Sequence, residues 1–456
     1  MGRQRRMSHD HAYYIHNAHI VNEGKLFQGD VLIAHGKIDR ILGKNALSED
    51  LLMDNDTQYI NATGMYLMPG GIDEHVHFRE PGLTHKGDFE SESLAAVSGG
   101  ICTVLDMPNT LPQTTSLAHW EEKQASASGR MHTNYAFYLG ATNHNLEEIK
   151  AADTSAVPGV KLFLGSSTGD MLLSDERVLE ALFAWKGLPL LAHCEDEATI
   201  RQNMETAKAR YGETPSFRVH AEIRSEEACY RSSLKAVQLA RKHRTPLHIL
   251  HISTAKELEL LSPDYPEITM EASPSYLTFC DEDYEKLGCR LKCNPAVKRA
   301  GDRDALRQAL LQGKFRCVGS DHAPHTWEEK DKPYFQSPSG MPMVAHTLPL
   351  LLEAVWRKEA KLTQVAEWLS HGPARLLHIR NKGFIREGYD ADLVLIEACE
   401  GYTVDKGSLP YRCGWSPLEG MTLHHRIHTT FVNGNIAYRR GTFARQASGK
   451  ALCFER

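Results

Sequence analysis

Residues 68–82 read MPGGIDEHVHFREPG: His75 and His77 bracket a valine, and Arg79 follows two positions on. In an extended strand, residues i and i+2 share a face. Two imidazoles and a guanidinium are therefore expected to project together beside a Pro-Gly turn. Further along, four more polar groups sit in apolar runs: Lys161 in PGVKLFLG, His193 in LPLLAHCED, His251 in PLHILHIST and Asp321 in FRCVGSDHAPH. One isolated histidine is more often a hydrogen-bonded core residue than a ligand. Four histidines and an aspartate, each at the end of an apolar run, form a set suited to a metal. Imidazole and carboxylate suit Zn²⁺, and the absence of thiolate from the set argues against a purely structural zinc. Two metals about 3.5–4 Å apart would need a shared anionic bridge. As an ammonium, Lys161 has three donors and no lone pair, so it can serve there only after conversion into an anion.

The elements around these residues explain how they could converge. Eight short apolar runs alternate with helical stretches such as DFESESLAAVSGG, SDERVLEALFAWKG and SEEACYRSSLKAVQLARKHR. That order predicts a (β/α)8 TIM barrel, whose functional groups lie at the C-terminal ends of the strands. Continuous apolar runs fit parallel strands buried on both faces. The pair Thr254 and Glu257 has capping-box spacing, which marks a helix start at TAKELELLS. The two flanks have a different texture, with short alternating stretches broken by Gly and Asn. They are expected to pair as one small β-sandwich domain. The predicted division is 1–68 for the N-terminal part of that domain, 69–382 for the barrel and 383–456 for its C-terminal part.

Composition narrows the partners. The chain has 456 residues, 24% charged, with a formal net charge of -6, which gives no electrostatic footprint for nucleic acid. The basic run at residues 2–6 is short and reads as a terminal tail. No apolar run reaches the roughly 18–20 residues of a membrane span, and no apolar signal-peptide core opens the chain. Ten scattered cysteines, including Cys289 and Cys293 four apart, read as reduced thiols and predict a cytoplasmic location.

The strings GGIDEHVHFREPG, VLDMPNT, GVKLFLG, AHCED, HILHIST and GSDHAPH, in this order, resemble the amidohydrolase superfamily and within it the dihydroorotases. The likeness runs from about Pro69 to His325 and again through HGPARLLHIRNKGFIREGYDADLVLIE. It implies two Zn²⁺ ions per chain, one held by His75, His77 and Asp321, the other by His193 and His251. Lys161, carboxylated on its amine, would bridge them, and VKLFLG groups the chain with the relatives that use this lysine. The resemblance further implies that Asp321 moves the proton during reversible cyclisation of N-carbamoyl-L-aspartate to L-dihydroorotate, a step of de novo pyrimidine synthesis. Substrate contacts are implied for Arg79, Asn109, Asn294 and His325, with backbone near Gly340. Arg79 suits a carboxylate, which it can grip with two parallel hydrogen bonds. The sequence is silent on oligomeric state, and the family likeness suggests a homodimer.

One departure stands out. Relatives show NPPLR where this chain has NPAVK, so Lys298 is expected to be structural or peripheral. Ser167 and Thr168 of GSSTGD match loops that fold over substrate in some relatives, and an ordinary surface loop is the plainer expectation. The nearest rival reading is an allantoinase or dihydropyrimidinase with the same metal residues. Arg79 separates them, since allantoinases have a different residue there. A catalytically dead assembly partner would have lost metal ligands, and this chain has them all.

Overall fold

The computed structural model describes residues 12–43, 57–165 and 169–456. The basic run at residues 2–6 and the Ser167–Thr168 pair lie outside them.

Eight parallel strands form the barrel: Gly71–Val76, Ile101–Asp106, Asn134–Phe137 with its continuation Leu139–Gly140, Val160–Leu164, Leu190–Cys194, Leu247–Ile249, Ile268–Ala272 and Cys317–Val318. Neighbours pair in chain order within two sheets. The ring closes where Val76 bridges His322 and the His77 N–H donates to the His322 carbonyl at 2.8 Å. Asp73 reinforces this seam by accepting the Ser320 N–H at 2.9 Å. Every residue of Gly71–Val76, Ile101–Asp106 and Leu190–Cys194 is buried. These strands have helices on one side and the barrel interior on the other, which is why alternation is missing from their sequences.

Several outer helices begin where a short polar side chain takes up a backbone N–H: Asp88 before Phe89–Ser98, Ser116 before Leu117–Ala127 and Ser225 before Glu226–His243. Such caps satisfy donors that the first helical turn leaves open. Thr254 and Glu257 do bond reciprocally, at 3.2 and 2.9 Å, but the segment they start, Lys256–Leu260, is a short 3-10 helix. The pattern reading also passed over the fifteen-residue helix Glu197–Tyr211. Only Ile200 and Ala207 are buried in it, so its sequence has almost no apolar stripe.

The flanks join as expected. Strands from both ends make one nine-stranded sheet, in which Tyr66–Pro69 pairs antiparallel with Leu393–Ile396. Tyr13 and Phe431, three strands apart in the sheet order, bring their ring centroids to 5.4 Å, so the sheet folds over itself around its own apolar core. Asp392 fastens it to the barrel by accepting from Lys382 Nζ at 2.7 Å and Asn134 Nδ2 at 2.9 Å.

Candidate active site

The barrel brings the six predicted metal-site residues together at one mouth. The first strand stops at Val76, one residue after His75. His75 and His77 nevertheless converge, with Nε2 atoms 3.4 and 3.2 Å from Asp321 Oδ1. On their far sides both rings are anchored. His75 Nδ1–H donates to the Glu271 carboxylate at 3.0 Å, and His77 Nδ1–H donates to Asn109 Oδ1 at 2.7 Å. Anchoring one ring nitrogen fixes the tautomer and turns the other nitrogen, with its lone pair, inward. His75 Nε2 is left buried without a hydrogen-bond partner.

Opposite them, His193 Nδ1 lies 2.9 Å from His251 Nε2. His193 Nε2 is tied to Glu195 Oε2 at 3.0 Å, and Glu195 is paired in turn with Arg224. Burial alone would raise the Glu195 pKa, but Arg224 and His193 outweigh it and hold the carboxyl well below the usual range. The His75 and His251 rings are 5.2 Å apart, which joins the two halves. Lys161 is buried beside them, its Nζ 4.9 Å from the centre of the Phe163 ring. Burial pushes its pKa down to about 8. Burial likewise holds His75 and His251 well below the ordinary histidine value, with Lys161 among the neighbouring charges that add to it. Neutral imidazoles are the form that ligates a cation. For Asp321 burial acts upward, but its neighbours His77, His251 and Lys161 prevail and keep the carboxyl below its ordinary value.

These residues fit a metal pair. The orphaned His75 nitrogen, the two facing nitrogens of His193 and His251, and ligand atoms of His75, His77 and Asp321 all within 4.8 Å of one another are what a cation would satisfy. The backbone is strained to achieve this. His251 (φ 38°), Asp321 (φ 49°) and Arg79 (φ 71°) all occupy the left-handed region, which is uncommon outside glycine and concentrates at functional sites. Arg79 thus reaches the mouth through a left-handed turn, where an extended strand was expected.

Around Arg79 the polar groups form a second cluster. Its Nε donates to the Pro324 carbonyl at 2.9 Å, and one terminal nitrogen lies 3.2 Å from His325 Nε2. Lys86 Nζ donates to His325 Nδ1 at 3.2 Å, so Nε2 carries the ring proton and donates to the Ser339 carbonyl at 3.0 Å. Burial, then Arg79, Lys330 and Lys86, hold His325 well below its ordinary pKa and therefore neutral. Among the described residues no carboxylate makes an ion pair with Arg79, although it is only 7% exposed. Asn294 leaves its Oδ1 buried and unpartnered.

Other predicted contacts are placed differently. Asn109 has its carbonyl oxygen committed to His77. The Gly340 N–H donates to the Lys292 carbonyl at 2.9 Å, so it has no donor left to offer a ligand. Its φ of 135° and the closeness of Ala323 O (2.5 Å) and His325 Nε2 (3.1 Å) to any Cβ there explain the glycine. Lys298 is interior, with Nζ donating to the Ala296 carbonyl at 2.9 Å and to Ser253 Oγ at 3.3 Å. Glu271 and Glu195 were missed by pattern reading. The signal available was a carboxylate inside an apolar strand run, EITMEAS, and the Glu of AHCED.

Comparison with known proteins agrees with this geometry. The amidohydrolase family model matches residues 66–437. A dihydroorotase from Methanosarcina acetivorans is 32% identical over 423 residues, covering 90% of this chain and 88% of its own. An allantoinase from Bacillus velezensis is 30% identical, covering 95% of each chain. Among solved structures, the L-hydantoinase (dihydropyrimidinase) of Arthrobacter aurescens superimposes with a TM-score of 0.91 at 26% identity, covering 97% of this chain and 99% of its own. With the family match spanning the whole barrel and part of the terminal sheet, the chain belongs to the amidohydrolase family.

Proposed function

We propose that this protein is a binuclear zinc cyclic amidohydrolase that interconverts N-carbamoyl-L-aspartate and L-dihydroorotate. The observation that carries the substrate choice is Arg79. A buried guanidinium with no carboxylate partner among the described residues is costly unless an anion completes it. Burial pushes its pKa down to about 10, which still leaves it charged at neutral pH. Dihydroorotate carries a ring carboxylate, whereas hydantoin, dihydrouracil and allantoin rings carry none.

The residues fit the chemistry in a definite order. His75, His77 and Asp321 would hold one metal and His193 and His251 the other, with Lys161 as carbamate between them. An amine whose pKa is pulled down toward 8 is partly neutral near pH 7, the form that adds CO₂. Bound metals supply Lewis acidity at the amide carbonyl and an activated water. Asp321, held ionised by His77 and its other neighbours, accepts the proton released as water attacks and returns it to the leaving ring nitrogen. In the closing direction it runs the same transfer backwards. Arg79 orients the ring through its carboxylate, which brings the amide carbonyl to the metal side of the mouth.

Purified protein assayed on L-dihydroorotate, allantoin, hydantoin and dihydrouracil tests this reading. The expected result is efficient turnover of dihydroorotate and weak turnover of the neutral rings. Preference for a neutral ring would keep the family and overturn the substrate.

A further inference from the structure

Lys330 is fully buried, and its ammonium touches no carboxylate in an ion pair among the described residues. Its Nζ donates to three main-chain carbonyls: Lys292 at 2.7 Å, Pro338 at 2.9 Å and Gly340 at 2.8 Å. Each bond consumes one N–H, and only the protonated amine has three. Lys292 precedes Cys293 and Asn294 on one loop, while Pro338 and Gly340 flank Ser339 on another. We infer that Lys330 is a positioning residue for the substrate pocket, tying the Asn294 loop to the Gly340 loop so that His325 and Arg79 are held in place. This inference rests on the reading of Arg79 and His325 as substrate-facing groups.

The path from Lys330 to the pocket is short and continuous. With the carbonyls of residues 338 and 340 turned toward the ammonium, the carbonyl between them, that of Ser339, is presented to His325 Nε2 at 3.0 Å. His325 in turn lies against Arg79. The same loops are tied a second time through the Gly340 N–H to the Lys292 carbonyl. Trp415 backs the arrangement: its ring centre is 5.6 Å from Lys330 Nζ, and its Nε1–H donates to the His325 carbonyl at 2.8 Å. Lys292 does similar work beside it, donating to the Tyr334 and Ser337 carbonyls, both at 2.6 Å. The wall of the pocket is thus built on ammonium groups closed by carbonyl dipoles, not by carboxylates. Burial pushes the pKa of Lys330 down to about 7 and that of Lys292 to about 8, so an anionic ligand beside Arg79 would favour their charged forms.

Lys330→Ala, compared with wild type at equal zinc content, tests the inference. The expected result is a roughly ten- to hundredfold rise in KM with kcat changed only a few-fold, since three carbonyls lose their donor and the loop shifts. Millimolar ethylammonium should restore part of the loss by refilling the cavity with three N–H donors, and tetramethylammonium, which has none, should not. If Lys330→Ala does not fold, Lys330→Gln, which keeps two N–H donors, takes its place with a smaller rise in KM expected. An unchanged KM, or parallel loss of zinc, kcat and KM without amine rescue, overturns the inference. Both variants are assayed on dihydroorotate and on dihydrouracil. If wild type prefers the neutral ring, the substrate assignment fails, and the role of Lys330 is read independently from the KM for that ring.

Discussion

Two trios of potential metal ligands lie at neighbouring levels of the same barrel. His75, His77 and Asp321 form the outer one; Glu74, His248 and Cys317, earlier on the first, sixth and eighth strands, form the inner one. Both bring ligand atoms within 4.8 Å of one another, so distance alone does not distinguish them. Their surroundings do. In the inner trio the thiol donates to Glu74 Oε1 at 2.7 Å and His248 Nδ1 bonds Thr269 Oγ1 at 2.7 Å. Burial, then Glu74 and Glu271, pushes the Cys317 pKa well up, so the sulfur stays a neutral thiol, a poor ligand. All three inner side chains are sealed from solvent. In the outer trio the Asp321 side chain is 14% exposed, the anchoring bonds sit on the far side of each ring, and His75 Nε2 has nothing to bond. A metal site needs its donors turned toward a shared, reachable space. The inner trio spends its thiol proton on Glu74 Oε1 and its His248 Nδ1 on Thr269, leaving only Glu74 Oε2 without a partner, whereas the outer trio turns its ligand atoms toward the mouth.

That contrast can be broken in the outer layer first. Asp321→Asn should lose activity in both directions by roughly 10²–10⁴-fold while keeping at least one metal, because an amide cannot accept the proton. Steady-state rates for ring opening and closure, with metal content measured alongside, check this; loss of only one direction contradicts a shared proton carrier. Lys161→Ala should lose most of the bound metal, as the two cations would face each other without an anionic bridge. Short carboxylic acids should restore part of it, and full metal occupancy in the variant would remove the bridge from the account. Arg79→Met should leave metal content intact and cost about 2–5 kcal/mol in kcat/KM for dihydroorotate. Arg79→Lys should recover little, since an ammonium lacks the planar fork.

The inner layer should respond weakly. Cys317→Ala is expected to leave zinc content and activity within a few-fold of wild type. It should destabilise the fold by about 1–3 kcal/mol, measured by denaturant unfolding, because Glu74 loses a donor inside the core. Loss of a metal ion in this variant would mean that the inner trio also binds.

The sequence displayed one of these layers much better than the other. His75, His77, His193, His251 and Asp321 were visible because each interrupts or ends an apolar run, and a parallel barrel sends strand ends to one mouth. The anchors were not. Glu271 holds His75 from 196 positions away, Glu195 sits two residues beyond His193 but takes its partner Arg224 from a distant segment, and the hold of Asn109 on His77 depends on loop geometry. The left-handed backbone at Arg79, His251 and Asp321 leaves no mark in a pattern of residue types, since none of the three is glycine. The inner trio was hidden for a similar reason, because Cys317 and His248 look like ordinary core residues until eight strands close. The terminal sheet was legible in texture, whereas helix Glu197–Tyr211 had too little apolar face to register.

The most direct test of the outer–inner contrast is the position of the metals themselves. A crystal of zinc-loaded protein, with diffraction recorded on either side of the zinc absorption edge, locates them independently of activity. Two anomalous peaks are expected, one among His75, His77 and Asp321 and one beside His193 and His251, with added density on Lys161 Nζ between them. None is expected at Glu74, His248 and Cys317. A peak on the inner trio, or an empty outer mouth in protein that turns over its substrate, would overturn the outer–inner contrast.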